Sequence, residues 1–195
     1  MNNYSYASMR DTFDMSAYFV VGPQDCKSRT ITGVIEDALR GGATFIQLRA
    51  KNTDAKDITS MARDIAQVIE NNGKSDSVAF VIDDRVDVVW QARHKGIKVD
   101  GVHIGQTDLE PQEARALLGE DAIVGLSAET ESLVKLINEL PAGCIDYIGP
   151  ARCTCPPPSR KLPLVATMVP GIRSTRRRSM RSAMRVIFRL WSAVE

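Results

Sequence analysis

From Ala17 onward the chain alternates short, nearly continuous apolar runs with longer amphipathic ones, and this alternation narrows the possible folds more than any other feature. The runs are YFVVG (18–22), TFIQLRA (44–50), VAFVID (78–83), GVHIG (101–105), AIVGLS (122–127) and IDYIG (145–149). Mostly β-branched or aromatic, they suit strands covered on both faces, as in a parallel sheet. The intervening segments carry helical periodicity. Ile58, Met61, Ala62, Ile65, Val68 and Ile69 fall on one helical face, and Leu133, Leu136, Ile137 and Leu140 repeat the pattern in the fifth. Thr53 or Asp54 is placed to cap the second helix, Gly41-Gly42 to close the first, and Pro111 to open the fourth.

Successive β–α steps predict a parallel α/β sheet with crossover helices, either a doubly wound open sheet or an eight-fold barrel. No G-x-G-x-x-G follows the first strand, which removes the main argument for a dinucleotide fold. Polar residues gather at the ends of successive strands, and in a barrel all those ends meet at one mouth. The expectation is therefore a (β/α)8 TIM barrel with about six units legible, spanning residues 17–150. Residues 1–16 read as a flexible lead-in, and residues 151–195 as a basic, Pro/Arg-rich tail.

The strand ends carry the candidate chemistry. With a period of two, Gln47, Arg49 and Lys51 point the same way, a set suited to an anionic, phosphorylated ligand. Asp83 and Asp84 are adjacent carboxylates that raise each other's pKa unless a cation intervenes. Mg²⁺ would resolve this, since it takes one or two carboxylates plus phosphate oxygens. Asp84 could instead cap the helix beginning at Val86. Asp108 brings a further carboxylate to the mouth, and Gly105 would let backbone approach a ligand closely. His103 lies within its strand and reads as packing or as support for a neighbour. Ser127 offers a hydroxyl near the same anion, or caps the helix starting near Glu129.

Taken together, QLRAK (47–51), IDDRVDVV (82–89), DGVHIGQTD (100–108), VGLS (124–127) and DYIGP (146–150) resemble the thiamine phosphate synthase family, in order and spacing. The resemblance implies a barrel that joins hydroxymethylpyrimidine diphosphate to a thiazole phosphate, releasing diphosphate and thiamine phosphate. It implies that Gln47, Arg49 and Lys51 contact pyrimidine and diphosphate, that Asp84 and Asp108 ligate Mg²⁺, and that Ser127 contacts pyrimidine or diphosphate. Arg49, Lys51 and Ser127 are the expected catalytic residues. Asp83 stands where the family commonly has Asn, adding a negative charge beside the diphosphate site. The alternatives are a thiazole tautomerase type, which generally lacks the Gln-x-Asp present here as Gln106-Thr107-Asp108, and a barrel without catalytic competence.

The tail departs from the family. Residues 151–195 hold ten Lys/Arg and one acid, whereas residues 1–150 hold 15 bases and 23 acids. No Thr-Lys pair follows Pro150, where the family places a diphosphate-gripping loop. Pro157 to Arg160 can be encoded so that a neighbouring frame reads Thr-Lys-Pro, which makes a shifted reading frame the working explanation. Four cysteines without paired spacing (Cys26, Cys144, Cys153, Cys155) fit a reduced, cytoplasmic setting. The expected partners are small molecules, with room for a homo-oligomer and no role for nucleic acid or membrane.

Overall fold

The computed structural model describes residues 6–128 and 140–150, together with the residue pair Thr167–Met168. Its strands are β1 (Tyr18–Val21), β2 (Phe45–Leu48), β3 (Ala79–Asp83), β4 (Gly101–Ile104), β5 (Ile123–Ala128), β6 (Tyr147–Pro150) and β7 (Thr167–Met168). The helices are α1 (Ile31–Arg40), α2 (Ala55–Asn71), α3 (Val86–His94) and α4 (Pro111–Leu118). Strands β1 to β6 pair in sequential order and all parallel, and β7 joins β6 antiparallel. A doubly wound sheet reverses its strand order at a switch point, and no reversal occurs here. The result is a parallel α/β arc of the barrel type. The predicted fifth helix and the basic tail, with its proposed frame change, lie outside the described residues except for Thr167–Met168.

Alternation along the strands sorts the core into two. Ile46, Leu48, Phe80, Ile82, Val102, Ile104, Val124, Leu126 and Ile148 face outward and pack with Ile35, Leu39, Ile58, Ile65, Ile69 and Val89 of the helices. On the other side, Phe45, Ala79, Val81, Ile123 and Tyr147 form an inner cluster. The helical face expected for α2 is the one observed: Ile58, Ala62, Ile65, Val68 and Ile69 are buried, and Met61 packs at the margin.

Residues 6–16 correct the expected flexible lead-in. Met9 and Phe13, one turn apart through Phe13 N–H to Met9 O (2.8 Å), enter the inner cluster and are at most 9% exposed. The Phe13 ring stands edge-on to Phe45 at 5.7 Å. Arg10 ties the segment down, donating to Asp146 Oδ1 (2.8 Å), to Glu120 O (2.6 Å) and to Gly143 O (2.8 Å). Two apolar side chains and a guanidinium in a polar segment were enough to close the N-terminal face of the arc.

A repeated device sets strand register. The residue just before each even-numbered strand accepts an N–H at the start of the preceding odd-numbered one. Thr44 Oγ1 takes Ala17 N (3.1 Å), Asp100 Oδ2 takes Phe80 N (2.7 Å) and Asp146 Oδ2 takes Val124 N (2.8 Å). Buried cations balance the two aspartates: Lys98 on Asp100 (2.5 Å) and Arg115 on Asp146 (2.7 Å). A slip of one residue would invert every side chain between the two cores.

Glycine makes room for the inner rings. A Cβ on Gly125 would lie 2.1 Å from Cζ of the fully buried Tyr147, and one on Gly149 would lie 3.0 Å from Cε1 of His103. Tyr147 is hemmed in by Phe13, Phe45 and His103 and has nowhere to retreat. Gly125→Ala is expected to destabilise the fold by about 1–3 kcal/mol through overpacking. A thermal melt within a degree of the parent would contradict that steric account.

Candidate active site

The polar residues expected at the mouth converge, although not by strand periodicity alone. Strand β2 ends at Leu48, so Gln47 lies in the strand while Arg49 and Lys51 lie in the turn that follows. Gln47 is buried and bridges inward and outward: its Nε2 donates to Asp83 Oδ1, and its Oε1 accepts from the Tyr18 hydroxyl. Arg49 Nε pairs with Asp83 Oδ2 at 3.3 Å, and Lys51 Nζ lies 3.9 Å from Asp84 Oδ2. Both cations keep roughly half of their side chains in solvent, free to meet an anion above the strand ends.

Two non-glycine residues of the site, Asn52 (φ +57°) and Asp84, hold a positive φ. The φ of Asp84 is +62°, and Arg85 N–H reaches back to Asp83 O at 2.7 Å, which makes 83–85 a γ-turn of the rare, left-handed kind. Asp84 N–H is meanwhile fixed on His103 O at 2.7 Å. This turn aims the carboxylate at Asp108, within hydrogen-bonding reach. Helix α3 starts after Arg85 without a side-chain cap, so Asp84 is not its cap.

Asp108 closes the other side, accepting Gly105 N–H on Oδ2 at 2.7 Å. A Cβ on Gly105 would come within 3.0 Å of that oxygen. Gly105 thus makes room for the carboxylate of Asp108 rather than for a ligand against the backbone.

The charges respond as their neighbours dictate. Burial and the adjacent Asp84 push Asp83 up to about 6, against the pull of Arg49, Lys51 and Gln47. Burial and the facing Asp108 raise Asp84 as well, partly offset by Lys51 and Arg49. Two carboxylates turned on each other beside a diffuse positive charge are a poor arrangement by themselves. They are a good one for a small divalent cation that also binds phosphate oxygens. A cavity of about 510 Å³ opens beside them, lined by Lys51, Asn52, Thr53, Asp83, Asp84 and Arg85. Among the described residues no group of three or more His, Cys, Asp or Glu forms a cage.

Ser127 is held by His103. Its Oγ bonds His103 Nε2 at 2.8 Å, and His103 Nδ1 bonds the Tyr147 hydroxyl at 2.9 Å. The reading of His103 as support for a neighbour therefore holds, and the neighbour is Ser127. The alternative of Ser127 as a helix cap concerns residues 129–139, outside those described. Sequence reasoning missed Tyr18 and Tyr147. Each is a tyrosine inside an apolar strand, and a buried phenol requires a partner; that requirement was the available signal.

Comparison with known proteins shows the family. A family model described as thiamine monophosphate synthase matches residues 17–165. The thiamine-phosphate synthase of Corynebacterium efficiens is 38% identical over 158 residues, covering 80% of this chain and 69% of that protein. That of Corynebacterium jeikeium is 40% identical over 158 residues, with the same coverage. Among solved structures, a thiamine phosphate pyrophosphorylase from Pyrococcus furiosus superposes with a TM-score of 0.55 at 24% identity, covering 74% of this chain and 62% of that one. This last likeness supports the fold alone.

Proposed function

The chain belongs to the thiamine monophosphate synthase family, and from that premise we propose that it joins hydroxymethylpyrimidine diphosphate to a thiazole phosphate at the mouth of a (β/α)8 barrel. Its relatives are thiamine-phosphate synthases, which are transferases, and it spans 69% of the length of the two corynebacterial ones. The observation that carries the reading is the opposition of Asp84 and Asp108 beside Lys51 and Arg49.

Asp84 and Asp108 would hold Mg²⁺, which when bound supplies positive charge to the diphosphate oxygens. The C–O bond between the pyrimidine methylene and diphosphate breaks with its electron pair leaving on the diphosphate. The thiazole nitrogen then gives its lone pair to the same carbon. Lys51 and Arg49 face the charge that grows on the departing group. Gln47, held between Tyr18 and Asp83, has a fixed amide against which the pyrimidine can be oriented. No proton need be removed by the protein, consistent with His103 being pushed by burial down to about 4 and staying neutral.

The remaining assignments follow the same reading. Asp83 puts a negative charge beside the diphosphate, and Arg49 is its counterweight. Reduced Cys26 and Cys144 suit a cytoplasmic enzyme. No helix among the described residues is long and apolar enough to cross a membrane.

The test is diphosphate release from the two substrates with Mg²⁺, compared between the parent and Lys51→Ala. A fall of about 10²–10³ in kcat is expected on losing the cation. Absence of release from the parent at saturating Mg²⁺ would end the proposal. Measuring the two substrates' binding separately adds resolution. On this reading the described residues would supply the pyrimidine diphosphate contacts, whereas the thiazole phosphate contacts implied by the resemblance would come from beyond residue 150.

A further inference from the structure

Arg49 is held by residues of the preceding β–α unit. Strand β2 ends at Leu48, yet Arg49 N–H donates at 2.8 Å to the carbonyl of Val21, the last residue of β1. On its other side, Arg49 O accepts from Gln24 Nε2 across 3.0 Å. We propose that Gln24, in the turn between β1 and α1, is a positioning residue that fixes the direction of the Arg49 side chain. That Arg49 meets diphosphate rests on the synthase reading above; that Gln24 holds Arg49 does not.

The two bonds act on different peptide groups. Arg49 N–H belongs to the peptide shared with Leu48, and Arg49 O to the peptide shared with Ala50. Planar peptides leave only φ and ψ free at the Cα between them. Tying one plane to β1 and the other to the turn after it therefore fixes both angles, and with them the Cα–Cβ direction of Arg49. With the Val21 bond alone, φ would be free and the side chain would swing with it. At its far end, Arg49 Nε meets Asp83 Oδ2 at 3.3 Å, with roughly half of the side chain in solvent. A long side chain with so little to hold its tip takes its aim from its root, and the root is where Gln24 acts.

Gln24 is fixed in turn. Its Nε2 also donates to Asp25 Oδ2 at 3.0 Å, and that oxygen accepts Gly22 N–H at 2.8 Å. Both amide protons are thus spent on acceptors, which settles the orientation of the amide; reversed, its oxygen would face two other oxygens. Gly22 provides the space for the clamp. A Cβ there would lie 2.1 Å from Arg49 O, so the carbonyl reaches the turn only past a glycine.

Gln24 is exposed, so Gln24→Met, which keeps the length of the side chain and loses both donors, is expected to fold as the parent does. In the full chain labelled with ¹⁵N-arginine, Arg49→Lys identifies the Arg49 Nε–H signal. Gln24→Met should shift or broaden that signal and leave those of the buried Arg93 and Arg115 in place. An unmoved Arg49 signal would overturn the proposal. The functional half is a double-mutant cycle read by calorimetry with inorganic diphosphate and Mg²⁺. Gln24→Met should weaken binding about fivefold, the worth of one neutral hydrogen bond, and by less than about twofold in an Arg49→Ala background. An equal loss in both backgrounds would show that Gln24 does not act through Arg49. A lower melting temperature with the Arg49 signal and the affinity both unchanged would reduce Gln24 to a structural role. If the parent binds no diphosphate, the synthase reading fails and the Arg49 signal alone decides the proposal.

Discussion

Asp146→Ala is expected to cost the fold about 3–5 kcal/mol, a large share of the roughly 5–15 kcal/mol that stabilises a domain of this size. The carboxylate is fully buried and occupied on both oxygens. Oδ2 accepts Arg115 Nη2 at 2.7 Å and Val124 N at 2.8 Å, and Oδ1 accepts Arg10 Nε at 2.8 Å. Truncation would leave the Arg115 guanidinium in the interior with its charge unmatched, and its Nε already has no partner. The Val124 N–H would be orphaned as well, an effect of about 1–3 kcal/mol when unrelieved. Arg10 would lose its buried anchor, and with it the segment that carries Met9 and Phe13 into the inner cluster. These losses share one network and do not simply add. Asp146→Asn keeps an acceptor for Val124 but drops the charge, so its midpoint in urea should fall between parent and alanine variant. A shift below about 1 kcal/mol in the alanine variant would show that Arg115 finds another partner, contrary to the geometry.

The same aspartate shows where sequence is legible and where it stops. Asp146 and Asp100 stand in the two segments, DYIGP and DGVHIGQTD, that drew attention as family-like. Their work is to lock strand register at the opposite end of the arc from the chemistry. Apolar alternation located all six parallel strands within two residues at either end, because a strand covered on both faces leaves an unbroken signal. The charged residues at the mouth were equally readable, since charges at buried strand ends require a ligand or a counter-ion. The N-terminal segment was not. Met9 and Phe13 carry too little periodicity to reveal that a packed interior awaits them. Tyr18 and Tyr147 were hidden for a different reason. Each satisfies the apolar pattern of its strand, and only the third dimension brings their hydroxyls within 3.2 Å. The turn at Asp84 was likewise invisible, because Asp tolerates a positive φ without requiring one, so the residue alone does not announce the turn.

Two buried titrations in the inner layer are expected to cancel, and each single variant should expose the other. His103 is lowered by burial to about 4 from 6.5, so above pH 6.5 both folded and unfolded states hold it neutral. As pH falls from 6.5 toward 4 only the unfolded state takes up the proton, and about 3 kcal/mol of stability is lost. Asp83 runs the other way. Raised to about 6 from 3.8, chiefly by burial and by Asp84, its ionised form is penalised in the folded state at neutral pH. Between pH 6 and 4 the folded state binds the proton first, and about 3 kcal/mol is regained. In metal-free protein the two contributions therefore leave a nearly flat balance across that window. Asp83→Asn should steepen the acid loss relative to the parent, and His103→Gln should reverse it, so that stability relative to the parent rises as pH falls. Chemical denaturation at pH 7, 6, 5 and 4 measures both slopes against the parent, which removes the titrations the three proteins share. Parallel curves for all three would mean that neither group is perturbed as its burial requires. A change in only one variant would place the error on the residue whose variant left the slope unchanged. Because Arg49 and Lys51 both lower Asp83, an anion that engages those cations should weaken their hold on it. Bound Mg²⁺ acts in the opposite sense, so the Asp83→Asn difference is expected to shrink when the cation is present.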